Sequence, residues 1–137
     1  FPLYHTEEIK TRWLVFVGRT SIVENEAYCF LVAGTSQLQP YLAGGNRSDH
    51  NFVRIPAGMA NLPKETIFDI TGSFYSNILA NTLESYKNQI RIAGELPKDQ
   101  LRQLYNLILK ENTISKKIKK DIHESYNRCG ITGLKSL

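Results

Sequence analysis

Two residues at the ends of apolar runs have the chemistry to handle a phosphodiester. Arg12 opens the run Arg12-Trp13-Leu14-Val15-Phe16-Val17, and Thr35 follows Tyr28-Cys29-Phe30-Leu31-Val32-Ala33-Gly34. A guanidinium keeps its charge and presents a fork of donors that matches a phosphate. A threonine hydroxyl donates to a second oxygen of the same group. When a ribose 2′-OH attacks its own phosphate, charge builds on the phosphorane oxygens, and preorganised donors stabilise it. Such chemistry needs no metal, but it needs a proton acceptor, which a guanidinium does not supply. His5, Glu7 and His50 are the acceptors in range along the chain, and each reads first as a solvated surface residue.

For the pair to act together, the runs that carry them must pair. Residues 12–18 and 27–34 are rich in Val, Phe, Tyr, Trp and Leu, which suit a pleated, half-buried surface. The mostly polar stretch from Arg19 to Glu26 then serves as a hairpin link. A regular hairpin with Gly18 facing Ala27 puts Arg12 opposite Ala33, with Thr35 two positions further on the same face. Arg12 and Thr35 become diagonal neighbours, roughly 7–8 Å apart. Slippage by one residue would send them to opposite faces. The plain alternative is a strand-end charge reaching for water beside an ordinary turn residue.

The rest of the first two thirds also reads as β. Gly44-Gly45-Asn46-Arg47-Ser48-Asp49 marks a loop, Asn51–Ile55 alternates as a short strand ended by Pro56, and Glu65–Ile70 again has strand chemistry. Thr71-Gly72-Ser73 breaks that strand, Asn77 to Lys87 reads as irregular or a short helical turn, and Gln89-Ile90-Arg91-Ile92-Ala93 alternates as a strand stopped by Gly94. The last third is helical. Pro97 suits a first helical position, Asp99 the first turn, and Leu101, Leu104, Tyr105, Ile108 and Leu109 form one apolar stripe. Ser115 suits the N-cap of a second helix that turns Ile118, Ile122 and Tyr126 inward. The glycine-bearing tail from residue 129 shows little pattern and reads as loose. One domain is expected over 1–137, with a β part to residue 94 and helices over 95–128.

Lys and Arg number 17 against 13 Asp and Glu, a net charge of +4, which weakly favours a polyanionic partner. Cys29 and Cys129 have neither metal-type spacing nor a disulfide framework, and read as reduced thiols of a cytoplasmic protein. The scattered histidines do not look like a zinc set, so no metal or other cofactor is expected. No apolar run approaches the ~18–20 residues of a membrane span. Lys116, Lys117, Lys119 and Lys120 read as a solvated face, with an RNA-backbone contact as the alternative.

The order of these features resembles the MazF/PemK-like toxins. Phe1-Pro2-Leu3 and Lys10-Thr11-Arg12-Trp13-Leu14-Val15 are similar to that family's "FPF" and "K-R-P-A-L-V-L" segments. Phe30-Leu31-Val32-Ala33-Gly34-Thr35-Ser36-Gln37 resembles the strand ending in "T-S-Q", and Phe52-Val53-Arg54-Ile55 the "F-x-V-x-L" strand. Gly58 with Leu62-Pro63-Lys64-Glu65-Thr66 is similar to a further segment, and Ile92 to Leu101 to the approach to the C-terminal helix. Trp13 stands where the family has proline, the family's "G-D-I" strand is not among these residues, and the helix over 115–126 is extra.

The resemblance implies a mainly β fold with C-terminal helices, a small SH3-like plug β-barrel of the MazF/CcdB type. It implies a metal-independent endoribonuclease of a toxin–antitoxin system that cuts single-stranded RNA. The products would be a 2′,3′-cyclic phosphate and a 5′-hydroxyl. Arg12 and Thr35 would fall on the catalytic pair. The partners implied are RNA, a second copy in a homodimer, and an antitoxin occupying the RNA groove. Trp13 as a stacking surface, Ser36 and Gln37 beside Thr35, and Arg47 and His50 in the glycine-rich loop are the candidate RNA contacts. Trp13 has a competing place in the core. Two other functions compete: a non-catalytic barrel that engages a protein target, as gyrase-poisoning relatives do, and a nucleic-acid-binding module.

Overall fold

The aromatic and β-branched runs do form the centre of the molecule. The computed structural model describes residues 13–20, 27–92 and 94–136. In it β1 (Trp13–Arg19) and β2 (Tyr28–Thr35) pair antiparallel. With β3 (Phe52–Ile55), β4 (Thr66–Asp69) and β5 (Phe74–Leu79) they make a five-stranded antiparallel sheet in the order β1-β2-β4-β3, with β5 also on β2. Three helices follow: α1 (Ala80–Ser85), α2 (Lys98–Lys110) and α3 (Lys116–Arg128). No helix among the described residues is long and apolar enough to cross a membrane.

β2 is the spine. One of its edges takes β1, and the other is divided between β5, along Tyr28 to Val32, and β4, at Gly34 and Thr35. Two steps along β2, from Gly34 to Val32, correspond to six along the other side, from Phe68 to Phe74, so four residues leave the ladder. The excursion is pinned by hydrogen bonds from Ala33 N to Ser73 O and from Ser73 N to Asp69 O, both 2.9 Å.

The hairpin register differs from the regular one. Leu14, not Arg12, faces Ala33, and Trp13 faces Gly34. Beyond Phe16, which faces Leu31, the pairing shifts so that Gly18 faces Phe30 rather than Ala27. Val17 is the extra residue of a β-bulge, and its 3% exposure gives the reason: the bulge turns it into the core. Thr20 N bonds to Tyr28 O and Tyr28 N to Thr20 Oγ1, which extends the pairing one residue beyond Arg19 and Cys29.

Both helical stripes pack on one face of the sheet, α3 on β1 and α2 on β3. Phe30, Val32, Val53, Ile55 and Phe68 meet Leu104, Tyr105, Ile108, Ile122 and Tyr126 there. Ser115 caps α3 as expected, accepting from Ile118 N at 3.3 Å. By alternation, Leu31, Ala33, Thr35, Ile67 and Asp69 point to the other face.

Two expectations fail for local reasons. Over its described residues, 89–92, the segment is not a strand: Lys87–Gln89 is a 3₁₀ turn, and Ile92 is 88% exposed and pairs with none of the described strands, while Ala93 lies outside the described residues. The strand instead lies at β5, in a stretch whose central Ser76 and Asn77 masked it. Among the described residues the sheet stays open, with free edges at β1, β3 and β5, and these strands do not close into a barrel.

The tail is docked rather than loose. Gly130 has φ +83°, Gly130 N bonds to Asn127 O, and Ile131 N bonds to Tyr126 O. This Schellman pattern turns Ile131 back onto Tyr126, and Ile131 is 4% exposed.

Thr35 is held by a close approach at its neighbour. A Cβ on Gly34 would lie 2.7 Å from Thr66 Cγ2 and 2.8 Å from the Phe68 ring. Gly34→Ala should therefore lower stability by about 1–3 kcal/mol through overpacking. Urea unfolding measures this, and an unchanged midpoint would contradict the packing.

Candidate functional site

The sheet face away from the helices carries a carboxylate where strand chemistry offers no solvent. In Ile67-Phe68-Asp69-Ile70 every residue is buried, and Asp69 is 1% exposed. A buried carboxylate persists when donors surround it. Asp69 Oδ2 accepts from Tyr41 Oη at 2.8 Å and pairs with His50 Nδ1 at 2.9 Å, while Oδ1 accepts from Gly72 N at 3.0 Å. A carboxylate only accepts, so the proton of neutral His50 is assigned to Nδ1, and Nε2 keeps a free lone pair. The His50 side chain is 23% exposed, so the imidazole is anchored on one side and reaches water on the other. His50 is thus not the solvated surface residue its position in a polar loop suggests.

The loop over 36–50 is built to deliver these groups. Backbone bonds from Gly45 N to Leu42 O, Arg47 N to Pro40 O and His50 N to Arg47 O wind it into successive turns. Tyr41 packs edge-on against Phe52, with ring centres 5.0 Å apart, which fixes its hydroxyl over Asp69. Arg47 Nη1 donates to that hydroxyl at 3.3 Å, and its guanidinium lies 6.0 Å from the ring centre. Burial pushes the Tyr41 pKa up, with Arg47 opposing and Asp69 adding to the rise, so the phenol stays a donor. Gly72 is required by the same crowding, since a Cβ there would meet Asp69 Oδ2 at 2.6 Å.

Thr35 shares this face. It lies opposite Ile67, and Asp69 is two residues further along β4, so Thr35 and Asp69 are diagonal neighbours, roughly 7–8 Å apart. Thr35 Oγ1 accepts from Gln37 N at 3.1 Å, which leaves its own proton to donate. Ser36 and Gln37 are exposed in the turn that follows. Arg54 sits opposite Ile67 on β3 and pairs with Glu65 at 2.9 Å.

The structure therefore brings Thr35, Arg47 and His50 to one face, with Ser36 and Gln37 at its margin. Trp13 does not join them: it faces Gly34 and packs, half-buried, against the core on the opposite face. Arg12 lies outside the described residues, as do His5 and Glu7. Among the described residues no group of three His, Cys, Asp or Glu is placed to hold a metal ion. Cys29 is a buried free thiol, its pKa raised by burial with Arg19 opposing, and Cys129 is free and exposed.

Sequence reasoning passed over Asp69 and Glu111. Asp69 was legible as a carboxylate inside an apolar strand, which demands a partner. Glu111, just past α2, has no such signal. It is 5% exposed and gathers Thr71 Oγ1 at 2.5 Å, Asn51 Nδ2 at 3.0 Å and Thr113 Oγ1 at 3.2 Å. Asn51 follows His50 and Thr71 lies two residues past Asp69, and Asn51 N also bonds to Thr71 Oγ1 at 2.8 Å. One carboxylate thus ties together the two segments that carry the histidine–aspartate pair.

Burial raises the Glu111 pKa, but the hydrogen bonds from Thr71, Asn51 and Thr113 outweigh it and leave it below the ordinary 4.5. A carboxyl whose folded pKa lies below its unfolded value contributes stability above the unfolded value. That contribution is lost as pH falls through the folded one. Stability should accordingly drop as pH falls below 4.5, and Glu111→Gln should flatten part of that drop. Urea unfolding across this range tests it: parallel pH profiles for the two proteins would refute the assignment.

The basic helix is also not a uniform solvated face. Lys117 pairs with Asp121 at 3.3 Å, whereas Lys119 is only 7% exposed and donates to the Leu109 carbonyl at 2.9 Å.

The chain matches no protein-family model, no curated protein and no solved structure.

Proposed function

We propose that this chain is a toxin-type, metal-independent endoribonuclease that cleaves single-stranded RNA by attack of a 2′-OH on the adjacent phosphate. The observation that supports this reading is the 2.9 Å His50–Asp69 pair on the sheet face that carries Thr35. His50 Nε2 takes the 2′-OH proton as the 2′-oxygen bonds to phosphorus. The P–O5′ bond breaks, and the departing 5′-oxygen takes a proton from water to end as a 5′-hydroxyl beside a 2′,3′-cyclic phosphate, while His50 returns its proton to the hydroxide so formed. Asp69 holds the imidazole in the required tautomer and stabilises the imidazolium that forms. Thr35 donates to a non-bridging oxygen, and Arg47, at the mouth of the pair, offers a phosphate contact.

Arg12 completes the proposal as the cation for the second oxygen. It is the covalent neighbour of Trp13, whose cross-strand partner Gly34 immediately precedes Thr35. Homodimerisation, neutralisation by an antitoxin, a cytoplasmic setting and closure into a plug barrel belong to the same reading. Closure needs strand pairing at the open edges of β1, β3 and β5 beyond that among the described residues.

The test is incubation of a long single-stranded RNA with the protein in EDTA. Wild type should cleave and leave cyclic-phosphate ends. His50→Ala should slow cleavage about 10²–10⁴-fold, and Thr35→Ala and Arg12→Ala by about 10²-fold or more. Equal cleavage by all four proteins would mean a contaminating nuclease. No cleavage by wild type would leave a non-catalytic binding protein as the reading.

A further inference from the structure

We infer that a cavity between α2 and α3, on the helical side of the sheet, binds a phosphoryl group. The cavity has a volume of about 150 Å³ and is lined by Tyr105, Lys119, Lys120, His123, Glu124 and Ser136. Its wall contains a charge that no acid among the described residues pairs with. Lys119 is 7% exposed, and its ammonium donates to one neutral acceptor, the Leu109 carbonyl at 2.9 Å. Among the described residues no carboxylate lies within 4.0 Å of it. A buried ammonium favours a counter-charge, and an anion in the cavity supplies one while engaging donors that the carbonyl leaves free.

The neighbours suit the same ligand. The Tyr105 hydroxyl donates to the Lys135 carbonyl at 2.5 Å, so its oxygen accepts from His123 Nδ1 at 2.7 Å. Burial raises the Tyr105 pKa, which keeps that hydroxyl protonated and the relay intact. His123 is thereby oriented with Nε2 as the nitrogen left for a ligand, able to accept from a protonated phosphate oxygen. Lys120 is exposed and adds a second mobile cation, and the Ser136 hydroxyl a neutral donor. Glu124, the one acid in the lining, is exposed and balances a single charge of this set. Two lysines, a histidine and a serine in one lining offer a phosphate more charge and more hydrogen-bonding groups than a neutral ligand would use.

The ligand is either a free phosphate or phosphomonoester, or a phosphate of a nucleic-acid backbone. Two titrations distinguish them, each at constant ionic strength and followed by the His123 Cε1–H resonance of the full chain. One uses inorganic phosphate. The other uses a dinucleoside monophosphate with a 2′-deoxy sugar, which 2′-OH chemistry cannot cleave. A saturable shift with either probe, weakened about tenfold or more in Lys120→Gln and unchanged in His50→Ala, supports the site. The probe that saturates at lower concentration identifies the source. Lys120 is exposed, so its substitution leaves folding intact, and Lys119→Gln, checked by thermal unfolding, should abolish the shift. No saturable shift with either probe, or equal shifts in wild type and Lys120→Gln, would overturn the inference. None of these outcomes depends on RNA cleavage, so this site and the endoribonuclease reading stand or fall separately.

Discussion

β2 has one edge for β1 and a single remaining edge for both β4 and β5, and most of the polar architecture follows from that sharing. The chain that runs along this edge must switch from pairing at Gly34 and Thr35 to pairing from Val32 onward. It does so by expelling residues 70–73 from the ladder. A segment leaving a sheet carries backbone groups that need new partners. Ser73 meets them locally, bonding Ala33 and Asp69. Asp69, the last residue before the excursion, sits where one side is sheet and the other is turn. Its carboxylate can accept from the turn, at Gly72 N, and from the loop laid over the sheet, at Tyr41 and His50.

Two buried carboxylates then hold the loops in place by the same physics on different sides. Desolvation opposes each charge, and several directed donors offset it. Asp69 binds the loop over 36–50 to β4, and Glu111 binds Asn51 and Thr71 to the end of α2. The consequence is positional. His50 is followed directly by Asn51, which is anchored to Glu111 past the end of α2, and its own ring is anchored to Asp69, so both its backbone and its imidazole are held. A loop of this length anchored by hydrophobic contact alone would leave that ring free to rotate, and acid–base chemistry depends on a ring that does not.

Much of the fold is legible in the sequence because burial leaves a period. The strands around Val15, Val32, Val53 and Phe68 and both long helices appear as runs of the right composition, and Ser115 marks its helix start by its own chemistry. What periodicity omits is pairing. Ile90 and Ile92 alternate as well as any strand, yet they pair with none of the described strands, whereas Ser76 and Asn77 sit in a real strand because β2 offers them an edge. The Val17 bulge is invisible for the same reason, since only the partner strand reveals that a residue is extra. The site was legible in halves. Thr35 and the His50 loop stand out by residue type. The aspartate that orients the histidine lies 19 positions away and is joined to it only by the fold.

Asp69 and Lys119 are both buried charges, and the difference between them separates a group that holds the fold from one that faces a ligand. Asp69 has three donors on its two oxygens, one of them a backbone amide that the excursion would otherwise leave unbonded. Its demand is met within the fold, so its effect is to fix geometry for His50. Lys119 gives one of three protons to a carbonyl near the end of α2, where the helix dipole is mildly favourable, and no acid answers its charge among the described residues. An exposed carboxylate, Glu124, stands at the rim, while two further basic side chains line the same cavity. A fold that needed only to cap α2 would do so with a neutral donor at lower desolvation cost. An ammonium there, beside an opening and with no acid paired to it among the described residues, is the feature on which the proposed anion site rests.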